Sequence, residues 1–224
     1  MINIEKWLAE FKEKLLALFG GRLVFFGIQG SYARGEATAA SDIDVVVLLD
    51  QLEMADLQQY RRMLEDVEQR ELVCGFVGGV QELAAWEPGE LFQFCHDTVA
   101  IMGSLSDVLA HLPEDAARRA VVAGACGIYH GCSHNYLHGR SAEVLKELYK
   151  GALFVLRAKY YCERGVFIKA ARDLAEVLSG TDKEILQLRH AFTYEGAAVD
   201  VDKHTEKLLL WAQGIIIAAK DEKS

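Results

Sequence analysis

Two carboxylates set two residues apart, Asp42 and Asp44, open a valine-rich apolar run from Ile43 to Leu49. A run of β-branched residues like this predicts a buried strand. The strand period of two puts both carboxylates on one face and turns Ile43 toward the core. Paired carboxylates on a rigid element are what divalent cations bound to a triphosphate require. Upstream, a second apolar run, Leu23 to Ile28, delivers Gly30-Ser31 into a short helical segment, Tyr32 to Gly35. A glycine there lets the backbone approach a polyphosphate, while unpaired helix N–H groups and the Ser31 hydroxyl supply donors. Ser41, just before the acidic pair, can add another phosphate contact. Taken singly, Gly-Ser is most often a turn and Asp-x-Asp a solvated strand end. Their coincidence on a strand–turn–helix–strand frame is what points to chemistry.

The elements that must hold these residues are legible around them. Ile4, Trp7, Leu8, Phe11, Leu15 and Leu16 recur at helical spacing, and Gly20-Gly21 follows, so the chain opens with an amphipathic helix. Leu57, Tyr60, Leu64 and Val67 mark a second helix, Leu72 to Val77 a third strand, and Val99 to Met102 a fourth. Pro113 sits where the pattern changes. Beyond it the periodicity predicts only helices, near Glu114 to Leu137, Ser141 to Arg164, Ile168 to Leu178, Asp182 to Phe192 and Asp200 to Lys220. The expected architecture is α+β, with a mixed sheet and helices in residues 1–112 and a helical bundle in residues 113–224.

Gly30-Ser31, then Ala33-Arg34-Gly35, then Ser41-Asp42-Ile43-Asp44-Val45-Val46-Val47 resembles the signature of the DNA polymerase β-like nucleotidyltransferase superfamily. Within it, the pattern is most similar to the streptomycin/spectinomycin-type aminoglycoside adenylyltransferases. The resemblance implies an N-terminal nucleotidyltransferase domain and a magnesium-dependent transfer of AMP from ATP to a hydroxyl of a small molecule. Gly30 and Ser31, with Arg34 and Ser41 beside them, would hold the phosphates, and Asp42 and Asp44 would hold two magnesium ions. The family also has a third carboxylate at the next strand, a metal ligand or the general base for the attacking hydroxyl. Glu71, ahead of Leu72 to Val77, matches it, and Asp97, also ahead of a strand, is the rival. Trp86 and Glu90-Leu91-Phe92-Gln93-Phe94 extend the likeness. In the helical half, which in these enzymes closes over ATP and walls the acceptor site, Arg157 and Lys169 match positions at which the family places a cation on the nucleotide. Other readings are a protein-modifying AMP transferase of toxin–antitoxin type and a nucleotide-binding regulatory module without turnover.

Bulk properties narrow the partners. Thirty-three acidic against 24 basic residues leave a net charge of −9, which argues against a polynucleotide held by its phosphates. No segment is apolar over a bilayer's thickness, and the N-terminal stretch lacks a signal-peptide core. Five cysteines without framework spacing read as reduced thiols in a cytoplasm. Glu143 and Glu147, one helical turn apart, suit a cationic acceptor or an ordinary exposed face. His130, His134 and His138 share a helical face, and a solvated face is preferred to a zinc site because Cys132 points elsewhere. The other four cysteines sit in apolar contexts and are expected in the core.

Overall fold

The computed structural model describes residues 2–39 and 41–221. Helix α1 (Ile4–Phe19) starts at Asn3, whose side-chain oxygen accepts from the Lys6 amide at 3.1 Å. That bond satisfies one of the N–H groups a helix start leaves without an internal partner. Trp7, Leu8, Phe11, Leu15 and Phe19 are all buried, the single apolar stripe that the 3.6-residue period demands. Gly20, at φ +54°, ends the helix by donating its N–H to the Leu16 carbonyl.

There follow β1 (Leu23–Ile28), α2 (Gly30–Arg34), β2 (Ile43–Leu49), α3 (Met54–Leu64), β3 (Val73–Gly79), α4 (Val80–Ala84), α5 (Pro88–Asp97), β4 (Val99–Met102) and α6 (Ser106–Ala110). The strands form one mixed sheet in the order β3-β2-β1-β4. β1 is antiparallel to both β2 and β4, and β2 is parallel to β3, so a crossover through α3 is required. Strands β1, β2 and β4 occupy the runs that the sequence marks. β3 instead extends to Gly79, because it pairs with β2 along its whole length, from Ile43↔Val73 to Leu49↔Gly79. Helix α3 ends at Leu64 rather than Val67, and Val67 packs into the core from the turn beyond it.

The strand period sorts β2 into two faces. Ile43, Val45, Val47 and Leu49 pack with the α1 stripe and Tyr60 of α3 in one apolar cluster. Asp44, Val46 and Leu48 face the other way. There, the ring of Phe76 on β3 meets Trp86 and Phe94 edge-on, with centroids 5.1 and 5.3 Å away.

The α3 end of this unit is clamped by Arg22. Its guanidinium donates to both carboxylate oxygens of Asp56, at 2.7 and 2.9 Å, to Asp50 at 3.2 Å and to the Gln51 carbonyl at 2.7 Å. Asp56 is buried and forms a reciprocal capping box with Glu53.

Residues Pro88–Gln93 and those from Pro113 onward form a second compact unit. It comprises α7 (Ala116–His134), a π-helical turn (Asn135–Gly139), α8 (Ala142–Arg164), α9 (Ala171–Val177), α10 (Gly180–Tyr194) and α11 (Val201–Asp221). The π turn closes the first of these helices earlier than the periodicity suggests. Asn135, buried, donates to the Ser141 carbonyl at 2.9 Å and accepts from the Ser141 amide at 3.0 Å. α7 and α8 approach closely where α7 has no side chain, since a Cβ at Gly124 or Gly131 would meet Val155 or Leu148 at 2.6 Å. The Tyr149 hydroxyl ties α8 to the His204 carbonyl of α11 at 3.0 Å.

Of the four cysteines expected in the core, only Cys95 is buried, while Cys74, Cys126 and Cys162 are exposed. No helix among the described residues is long and apolar enough to cross a membrane.

The Arg22 clamp has a pH signature. Arg22 beside Asp56 holds that carboxyl below the usual carboxylate range, helped by a backbone hydrogen bond at Glu53. A depressed carboxyl contributes stability above its unfolded value and loses it as pH falls through the folded one. Asp56→Asn is expected to lower the thermal midpoint by several degrees at neutral pH. Melts taken down a pH series should show the deficit shrinking through the carboxylate range.

Candidate active site

Three strands bring the signature residues to one end of the sheet. Ile28 of β1 pairs with Val45 of β2 on one side and Val99 of β4 on the other, so the residues just beyond, Gln29, Asp44 and Thr98, meet. The Gln29 amide donates to the Asp44 carbonyl at 2.8 Å. Its side-chain amide donates to Thr98 Oγ1 at 2.7 Å and to the Phe94 carbonyl at 3.1 Å. Gly30 follows at φ +67°, and a Cβ there would lie 1.9 Å from Asp44 Oδ2. Glycine is therefore required by conformation and by space together. Ser31, next in α2, is half-buried, as is Asp44, while Asp42 is exposed.

The charges at this end oppose one another. Burial raises the Asp44 carboxyl above the usual carboxylate value; the charge of Asp42 adds to the rise, Arg34 opposes it, and Asp97 adds again. Arg34 donates through Nη1 to Asp97 Oδ1 and Oδ2 at 3.3 and 3.1 Å, and through Nε to Glu36 at 3.1 Å. Asp97 closes α5 and is buried.

The structure thus gathers Gly30, Arg34, Asp42, Asp44 and Asp97. Ser41 lies beside the acidic pair, where its Oγ accepts from the Thr38 amide at 2.9 Å and closes the intervening turn. Glu71 stands apart. It is exposed in the 3-10 turn before β3, and the β3 residue level with Asp44 is Cys74. Arg157 is fully buried in α8; its Nη2 donates to the Lys169 carbonyl, and its guanidinium lies 5.7 Å from the Phe154 ring centroid. Arg157 thus holds the stretch leading into α9 by a main-chain atom of Lys169, whose side chain is half-buried.

Glu147 pairs with Lys150 at 2.5 Å and Glu143 accepts from the Ser141 hydroxyl at 3.2 Å, as on an ordinary exposed helix face. His130, His134 and His138 are exposed, with successive ring centroids 6.0 and 4.9 Å apart.

Two site features lie outside the sequence reading: the anchoring role of Gln29 and the pairing of Arg34 with Asp97. An amide side chain at the junction of strand and glycine was the available signal for the first. The second depends on pairing between residues far apart in the chain and leaves no local trace.

Among the described residues no three His, Cys, Asp or Glu side chains converge as a metal-ligand set. Asp42 and Asp44 nonetheless offer hard oxygen donors whose mutual repulsion, and whose burial at Asp44, a divalent cation would relieve. The pair fits such an ion when further oxygens come from a polyphosphate.

Residues 5–85 match the family model described as nucleotidyltransferase domain. The matched segment lies within the first compact unit. Among solved structures the chain is similar to spectinomycin adenyltransferase AAD(9) from Enterococcus faecialis, crystallised with ATP and spectinomycin. The likeness covers 96% of this chain and 99% of that one at 16% identity, with a TM-score of 0.59. At that identity it establishes the shared fold, a mixed-sheet domain followed by helices. No curated protein matches the chain in sequence.

A carboxyl raised in the folded protein favours its neutral form, so stability is lost as pH rises through the folded value. Asp44→Asn should therefore raise the thermal midpoint by roughly 2 °C at neutral pH without divalent cations. The gain should fade as acid protonates the wild-type carboxyl. A lower midpoint for the variant would mean that the charged carboxylate stabilises the fold after all.

Proposed function

We propose that the protein transfers AMP from ATP to a hydroxyl of a small molecule and releases pyrophosphate. The observation that carries this reading is the seating of the Asp44 carboxylate against the bare Cα of Gly30, with the charge of Asp42 acting on it. It supports the reading because a glycine turn suited to a polyphosphate then adjoins a carboxylate suited to a divalent cation.

In this reading Gly30 and Ser31 receive the terminal phosphates through backbone N–H groups and the Ser31 hydroxyl, with Ser41 as a further donor. Asp42 and Asp44 are the residues that would hold two magnesium ions. Magnesium, when bound, neutralises charge on the triphosphate and on the departing pyrophosphate. The acceptor oxygen forms a bond to the α-phosphorus as the bond to the β-phosphate oxygen breaks, and the hydroxyl proton passes to a base. Glu71, exposed at the entry to β3, is the carboxylate for that task.

Residues 1–112 are assigned the nucleotidyl chemistry and residues 113–224 the selection of nucleotide and acceptor. For Arg157 to reach a nucleotide it would have to release the Lys169 carbonyl. The ATP and spectinomycin held by the AAD(9) crystal structure support a nucleotide donor and a small hydroxylated acceptor. Free thiols at all five cysteines support a reducing, cytoplasmic setting, and the net charge of −9 disfavours a nucleic-acid acceptor.

Pyrophosphate release from ATP and magnesium, screened over aminoglycosides, lincosamides and small polyols, tests the reading. Release is expected with one acceptor class. Asp42→Asn and Asp44→Asn should each cut it about a hundredfold or more while the protein stays folded. Full turnover in either variant would remove the carboxylate pair from the mechanism. ATP binding without release on any small acceptor would redirect the reading to a protein acceptor or a nucleotide sensor.

A further inference from the structure

Arg34 is the cation among the acids at this end of the sheet. Its guanidinium is shared between Asp97 and Glu36, and it also acts on Asp44, which in turn feels Asp42. The side chains of Arg34 and Asp97 are 11% and 10% exposed, so solvent screens the pair poorly. Asp97 is also fixed from behind. The next residue, Thr98, accepts from the Gln29 side chain and donates to the Phe94 carbonyl at 2.6 Å, and Gln29 holds the Asp44 backbone. The pair is therefore part of the frame that carries the carboxylates.

A guanidinium already engaged by two carboxylates is a poor ligand for a third anion. A triphosphate must compete with Asp97 and Glu36 for the same N–H donors while facing Asp42 and Asp44. With a divalent cation beside it, the triphosphate brings less charge and the acidic pair is neutralised. Without one, every added charge is repelled.

We infer that Asp97 is a specificity-determining residue of the nucleotide site: by holding Arg34 and adding its own charge, it excludes metal-free triphosphate and admits the triphosphate only together with a divalent cation. The inference rests on the nucleotide reading above and assigns Asp97 no bond to the substrate. In this view the Arg34–Asp97 pair filters what enters the site before any chemistry begins.

Calorimetric titration with ATP, once in EDTA and once with magnesium, tests it without turnover. Wild-type protein should bind the magnesium form and bind the metal-free form far more weakly. Asp97→Asn keeps the side-chain shape and an oxygen for Arg34. It should tighten metal-free ATP about tenfold while moving the magnesium form by less than about threefold. Glu36→Gln, on the more open flank of Arg34, should shift the same ratio by a smaller factor, and it serves if Asp97→Asn does not fold. An unchanged ratio in folded Asp97→Asn, or in Glu36→Gln where it stands in, overturns the inference and makes the pair a purely structural bridge. Wild-type protein that binds neither form overturns the nucleotide reading itself and the inference with it.

Discussion

At the end of the central strands, the Cα of Gly30 and the carboxylate of Asp44 occupy adjoining space. One added methyl group at Gly30 would stand 1.9 Å from Asp44 Oδ2. The contact fixes several things at once. It needs φ of +67° at Gly30, so the chain must turn immediately after β1. It needs Asp44 on the face opposite the α1 core, so the register of β2 cannot slip by one residue without burying the carboxylate in that core. The backbone of Gln29 then locks the arrangement by donating to the Asp44 carbonyl. Turn, register and acidic pair are one constraint seen from three sides.

That constraint is electrostatically unfavourable, and the rest of the unit has to offset it. Asp44 is half-buried among other acids, with Arg34 as its opposing charge. Strand β2 is otherwise fully buried from Val45 to Leu49, and the α1 stripe covers one of its faces. Burial of apolar side chains at about 1.5–3 kcal/mol each gives ample stability to tolerate one strained corner. The Arg22–Asp56 clamp works in the opposite sense: there a buried carboxylate is well matched and supports the fold. The two aspartates illustrate a general contrast. A charge whose partners are complete belongs to the architecture, whereas one that the fold would be more stable without is retained for what it binds.

The features legible in sequence are those set by local pattern. β1, β2 and β4 follow apolar runs bounded by glycine or polar residues, α1 follows a clear helical stripe, and Gly30, Asp42 and Asp44 declare themselves by spacing. What pattern does not carry is pairing. The length of β3 depends on β2, so its end at Gly79 was invisible. Glu71 is legible as an acid ahead of a strand, but which β2 residue each β3 residue faces, Cys74 level with Asp44 for one, is set by the parallel register alone. Asp97 joins the cluster only because β4 pairs with β1 from the other side. The exposed cysteines fail for a related reason: an apolar neighbourhood along the chain says nothing about which side of an element a thiol faces.

In the helical unit the same contrast separates sequence candidates from structural ones. Arg157 sits in an apolar helix, where a cation suggests a ligand. Its guanidinium lies over Phe154 and is bound to the Lys169 carbonyl. Phe192 packs between Tyr149 and His204, with ring centroids 5.1 and 4.9 Å away. Glu147 is matched by Lys150. Arg157 and Phe192 thus belong to the packing of this unit, and Glu147 to an exposed pair on α8. In the first unit, by contrast, the acid that the sequence singles out works against the fold, as Asp44 does beside Asp42.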